Sequence, residues 1–176
     1  MRRLAFLELA TNIGVAVGPP NGDQRFFTKT LPSTGDDIGR FARAYDEWLH
    51  DFITVEQPAL VAFEAPILSA GKTSISTARK LTGLAWHTEF VCGARQVAYF
   101  EANLMTIKKR FAGSGKAQKD DMIAVAKRYG WDVRNEHEAD ACAGWAFTVE
   151  CKAPRHAWRF KGGPLAATPL PPSVAG

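Results

Sequence analysis

Apolar positions in the first third of the chain come in short runs separated by turn residues. Residues 3 to 9 are apolar apart from one acid, Glu8, and after the turn-like "ATN" a second run covers Ile13 to Gly18. A third follows "PPNGD" over Arg25 to Leu31. Three short runs with tight connections predict an antiparallel meander. The spacing then changes. Ile38, Phe41, Tyr45, Trp48, Leu49 and Phe52 recur at helical intervals and predict a helix over 36–52. "PALVAFEAP" is a compact apolar strand ending in Glu64, bounded by Pro58 and Pro66. Beyond it the pattern predicts a helix from Ser74 to Val91, a strand from Gln96 to Phe100, and helices beginning near Asn103, Gln118 and Glu136. Antiparallel strands followed by strands alternating with helices describe an α/β protein with a mixed sheet.

Length and composition narrow the class. The chain has 176 residues, enough for one domain with a substantial core, and its 46% hydrophobic and 23% charged residues are ordinary for a globular protein. Lys and Arg outnumber Asp and Glu by 22 to 18, a mild excess that permits a nucleic-acid partner without requiring one. Cys92, Cys142 and Cys151 are too scattered for a zinc site and read as reduced thiols of a cytoplasmic protein. "MRRLAFLELA" imitates a signal peptide, but Glu8 breaks its apolar run, and no other stretch is long enough to cross a membrane. Residues 1–151 carry the strand and helix pattern; residues 152–176 are basic and then rich in Pro and Gly, and the last dozen are expected to be disordered.

The candidate chemistry lies in isolated acids. Glu8 is the lone charge in "LAFLELA" and Glu64 the lone charge in "ALVAFEA". A carboxylate in an apolar strand is costly to bury unless paired or ligated, although an acid at a strand end can also simply meet solvent. Both acids close a strand, and the C-terminal strand edge is where open α/β sheets bind ligands. The helix beginning "NEHEADACAGWAF" supplies a third. Asn135 suits the N-cap and Glu138 a capping box, which leaves His137 and Asp140 on one face that continues through the small residues Ala141 and Gly144. If the two strands lie parallel and adjacent, Glu8, Glu64 and Asp140 converge as a metal-binding cluster. His137 also fits a histidine satisfied locally at a helix start.

"LELATNIGVAVG", "VAFEAP", "IKKRFAGSGKAQKDD" and "HEADACAGWAF" occur in the order and near the spacing of the RuvC-like Holliday-junction resolvases, and residues 3 to 150 resemble their phage-type relatives. The resemblance implies a ribonuclease-H-like five-stranded mixed sheet flanked by helices, with three antiparallel strands and then two parallel ones. It implies a homodimer that nicks branched DNA such as four-way junctions, using Mg²⁺ or Mn²⁺, two ions per site. Transferred by position, Glu8 and Asp140 would be ligands, with Glu8 bridging. Glu64 would hold one ion or orient the attacking water, and His137 would ligate or shuttle protons. The family ordinarily has aspartate where this chain has Glu8, which puts full activity in question and leaves a DNA-binding protein with weak cleavage as the alternative.

The basic run "KKRFAGSGKAQK" reads by itself as a solvated loop; the resemblance makes Lys108, Lys109, Lys116 and Lys119 phosphate contacts, with Lys119 near the scissile group. "APILSAGKTS" imitates a phosphate-binding loop, but Pro66 replaces its first glycine. In the resolvase-like reading that loop faces DNA, with Lys72 and Thr73 at phosphate and Ile67 or Leu68 wedged at the branch point. The helix 74–91 is the candidate dimer interface through Leu81, Leu84, Ala85 and Thr88.

Overall fold

Alternation along the first strand sets the layering. In a computed structural model of the chain, the structure describes residues 2–22, 24–33, 37–67 and 73–160, the side chains of 158–160 excepted. β1 (Arg3–Glu8) sends Leu4 and Phe6 to one face of the sheet and Ala5 and Leu7 to the other, and each face has its own core. β2 (Asn12–Gly18) and β3 (Arg25–Thr30) complete the antiparallel meander. β4 (Pro58–Glu64) lies parallel to β1 and β5 (Ala98–Ala102) parallel to β4, so the strand order is β3-β2-β1-β4-β5. This is the mixed five-stranded sheet expected from the sequence.

Helices α1 (Ile38–Glu56) and α2 (Ile75–Ala94) cover the Ala5/Leu7 face. Helices α3 (Leu104–Ala112), α4 (Lys119–Arg128) and α5 (Glu136–Lys152) cover the Leu4/Phe6 face. Central α5 can lie this close because Gly144 sits on Phe6: a Cβ there would stand 2.2 Å from the ring. Two boundaries differ from the sequence reading. α1 runs on to Glu56, where Gln57 turns left-handed, and β5 starts at Ala98 because Gln96 also adopts positive φ and closes the turn after α2. Past residue 151, α5 ends at Lys152 and a 3₁₀ segment, Pro154–Phe160, packs on it with Ala157 buried; residues 161–176 lie outside the described residues.

The interface expected on α2 is corrected by its burial. Leu84, Ala85 and Thr88 face the sheet, and the Thr88 hydroxyl bonds Tyr45 in the core. The outer side instead carries Ile75, Trp86 and Phe90, with Trp86 and Phe90 stacked at 5.6 Å between ring centroids. An apolar groove of about 330 Å³, lined by Phe41, Ala42, Leu84 and Trp86, adjoins them. No helix of the described residues is long and apolar enough to cross a membrane.

Candidate active site

The site is built on one row of residues across three strands. Glu8 stands opposite Gly14, and Gly14 opposite Thr28. Directly opposed residues in antiparallel strands share a face, here the face that α5 covers. On the other side of β1 the parallel register pairs Leu7 with Phe63, so the next residues, Glu8 and Glu64, end neighbouring strands side by side. Topology alone therefore brings two of the expected acids together.

The first turn of α5 descends onto this row. Gly14 has no Cβ, and one would lie 2.1 Å from the backbone oxygen of His137, so only glycine admits the helix at this depth. The same glycine donates its N–H to Glu8 Oε2 at 3.3 Å, and that oxygen lies 2.9 Å from His137 Nδ1. Two further contacts fix the turn. Asn135 caps it by accepting the Glu138 N–H at 2.9 Å, as the sequence predicts. The Glu138 carboxylate does not return to Asn135: it accepts the Arg134 N–H at 2.8 Å and pairs with the Arg134 guanidinium, burying the acid almost completely.

Electrostatics show what the site lacks. Burial, then the charges of Glu8 and Asp140, push Glu64 up to about 8 against the opposing charge of Lys108. Burial also pushes Asp140 up to about 6; Lys108 and His137 oppose this, while Glu8 and Glu136 add to it. Asp140 Oδ1 is buried without a hydrogen-bond partner. His137 is raised above its ordinary value, chiefly by its bond to Glu8. The three acids therefore cannot all ionise together at neutral pH without added positive charge, a condition that favours a bound cation.

The donor types also fit one, since hard divalent cations prefer carboxylate oxygen. Among the described residues, however, no three His, Cys, Asp or Glu side chains already form a ready ligand set. Glu8 Oε2 is engaged by His137 and the Gly14 amide, and the orphaned oxygen belongs to Asp140. With Oε2 so engaged, Glu8 would join Glu64 and Asp140 around a cation through its other oxygen, Oε1.

The lysines separate into two groups. Lys108, expected at phosphate, is half-buried beside the acids, and its ammonium donates to the Ala117 carbonyl at 3.3 Å. It serves the cluster as a counter-charge, because α3 turns it inward from the loop that carries the other cations. Lys119 sits at the exposed mouth, ion-paired to Glu136 and within the field of Asp140 and Glu8, which raises it. Lys109 and Lys116 are exposed. Ile67 is 44% exposed three residues past the end of β4, and Thr73 precedes α2. Lys72 and Leu68 lie outside the described residues. Glu136 and Gly14 were missed by the sequence reading; the first looked like an ordinary helix-start acid, and the second reveals itself only through β-sheet register.

No family profile and no curated protein matches the chain's sequence. Solved structures do match. Thermus thermophilus RuvC superposes with a TM-score of 0.65 at 16% identity, covering 86% of this chain and 96% of the other. The same organism's RuvC in complex with Holliday junction substrate gives 0.70 at 16% identity, covering 88% and 97%. The yeast mitochondrial Holliday junction resolvase gives 0.64 at 12% identity, covering 90% and 82%. The chain has the ribonuclease-H-like fold of RuvC-type structures.

Proposed function

We propose that the protein is a divalent-cation-dependent endonuclease that nicks branched DNA such as a four-way junction. The observation that carries the reading is the carboxylate cluster at one sheet edge, where two strand-end acids and Asp140 raise one another and Asp140 Oδ1 is buried without a hydrogen-bond partner. Its setting supports the substrate class, because one structure of the same fold is a RuvC bound to Holliday junction substrate.

Glu8, Glu64 and Asp140 are the residues that would hold cation, either Mg²⁺ or Mn²⁺. Cation bound there would supply water activation and stabilisation of the leaving oxygen in phosphodiester hydrolysis. The remaining roles fall to the chain's own groups. Glu64, whose charged form is disfavoured by burial and by Glu8 and Asp140, would ionise on taking up cation and then hold it or orient the attacking water. His137 keeps a proton at Nδ1 toward Glu8 and can pass one to a leaving oxygen at the mouth. Lys119, released from Glu136 when a phosphate competes, steadies the scissile group. Exposed Lys109 and Lys116 extend the phosphate path, Thr73 lies along it, and Ile67 meets bases at the branch.

Paired nicks on a two-fold junction need two sites related by a two-fold axis, hence a C2 homodimer. Ile75, Trp86 and Phe90 on the outer side of α2 are the surface offered for it, since a stacked aromatic pair beside an apolar groove is unusual on a face left to water.

The second reading keeps DNA binding and removes most cleavage. It is favoured by Glu8, whose longer side chain reaches His137 and Gly14 instead of pointing to the Asp140 oxygen. Incubating the protein with a labelled four-way junction and a linear duplex of the same sequence separates the two. The endonuclease reading expects junction-selective binding and nicks in Mg²⁺ or Mn²⁺; junction binding without nicks in either metal establishes the second reading.

A further inference from the structure

Thr28 lies on β3, remote in sequence from every acid, yet it occupies the third place in the Glu8–Gly14–Thr28 row. Above it stands Asn135, the N-cap of α5. The orientation of the Asn135 amide follows from its other partner. Oδ1 accepts the Glu138 N–H at 2.9 Å, which turns Nδ2 toward Thr28 Oγ1, 3.0 Å away, and the Thr28 hydroxyl also lies within donating distance of Oδ1 at 3.2 Å. Both side chains are half-buried, where an amide N–H without an acceptor is costly. The Thr28 hydroxyl therefore completes the cap.

Each residue of the row touches the same turn. Glu8 meets the His137 ring, Gly14 meets the His137 backbone, and Thr28 meets Asn135 two residues earlier. The first two contacts tie the turn to β1 and β2; the Thr28 contact ties the cap to β3, at the far end of the row, and so fixes the turn laterally from the other side. One turn further along the helix is Asp140, whose carboxylate must be placed against Glu8 and Glu64 on the opposite side.

We propose that Thr28 is a positioning residue of the nuclease site: through Asn135 it holds the first turn of α5 in the lateral register that sets His137 and Asp140 over Glu8 and Glu64. The proposal rests on the endonuclease reading for its catalytic consequence but not for the latch itself. Thr28 touches neither substrate nor cation and acts only through the helix start. Threonine suits the place, since its β-branched body favours the strand and its hydroxyl supplies the acceptor.

The test compares the native protein with Thr28→Val, which keeps the β-branched shape and removes the hydroxyl, and Thr28→Ser, which keeps the hydroxyl. Single-turnover nicking of a saturating four-way junction in Mg²⁺ is measured beside junction affinity and amide hydrogen exchange. Thr28→Val is expected to lower the nicking rate about tenfold, the loss that a sub-ångström displacement of catalytic groups produces. Junction affinity should hold. Exchange should quicken at residues 136–141 and stay native in α1, and Thr28→Ser should restore both rate and exchange. Native exchange at 136–141 in Thr28→Val overturns the proposal, as does a native nicking rate, and so does quickened exchange throughout the molecule. If the native protein nicks no junction, the endonuclease reading falls, and the exchange comparison alone then decides the latch.

Discussion

Replacing Gly14 by alanine adds one methyl group at the tightest contact in the site. Its carbon would lie 2.1 Å from the His137 oxygen and 2.7 Å from the adjoining carbonyl carbon, with the Ala141 methyl at 3.2 Å. To restore an ordinary contact of 3.4 Å the carbonyl must retreat by about 1.3 Å. The obstacle is backbone in the first turn of a helix, not the flexible end of a side chain, so the whole turn moves. The bond between His137 Nδ1 and Glu8 Oε2, now 2.9 Å, then lengthens past any useful hydrogen bond, and Asp140 is carried away from Glu64. Overpacking of this kind costs about 1–3 kcal/mol, which leaves a domain of this size folded at room temperature with a Tm lower by roughly 2–12 °C. A misplacement near 1 Å at the chemistry costs about 100-fold in rate. Single-turnover nicking of a four-way junction at 25 °C, alongside a melting curve and a junction gel shift, reads all three quantities. The expected result is a rate lower by about two orders of magnitude with junction affinity preserved. A Gly14→Ala protein that melts lower but nicks at the native rate would refute the claim that α5 must reach this depth for the acids to act.

Other consequences can be measured independently. Glu64 and Asp140 titrate higher in the folded protein than their ordinary values of 4.5 and 3.8, at about 8 and about 6, so the folded state binds more protons across that range. The stability these two groups contribute without cation is therefore fullest at acid pH and is lost as pH rises through about 6 and then about 8; Mg²⁺ should raise Tm increasingly from pH 6 to pH 8.5, and a metal-induced shift independent of pH would contradict this. Lys108→Met removes the counter-charge that holds both acids down, so the acidic limb of the nicking profile should move to higher pH; an unmoved limb excludes Lys108 from the cluster. Trp86→Asp places a charge in the exposed aromatic pair of α2 and should convert a dimer to monomer in light scattering, whereas a native protein that is monomeric at micromolar concentration with and without DNA removes the interface.

The sheet and the acids were legible in sequence for a common reason. A lone carboxylate in an apolar strand stands out against its neighbours, and the shift from strand-like to helix-like spacing orders the elements before any coordinates exist. That is how Glu8, Glu64 and Asp140 could be grouped. Three things were not legible. The buried side of α2 was misjudged because its apolar residues are not confined to one side: Leu84 and Ala85 face the sheet, while Trp86 and Phe90 face outward among the polar residues. Lys108 looked like its neighbours in a basic run, and only the rotation of α3 singles it out. Gly14 and Thr28 matter through strand register, which no local pattern encodes.

The central claim is that the carboxylate cluster, supplied with a divalent cation, cuts junction DNA. Asp140→Asn tests it most directly, because amide replaces carboxylate at nearly the same size and removes the charge of the one buried, unpaired oxygen in the cluster. The measurement is single-turnover nicking of a synthetic four-way junction by native and Asp140→Asn protein, in Mg²⁺, in Mn²⁺ and in chelator. The account predicts nicks by the native protein in at least one metal, none in chelator, and a loss of roughly a thousandfold or more in the variant with junction binding retained. Nicking by Asp140→Asn at the native rate, or nicking that persists in chelator, would contradict it.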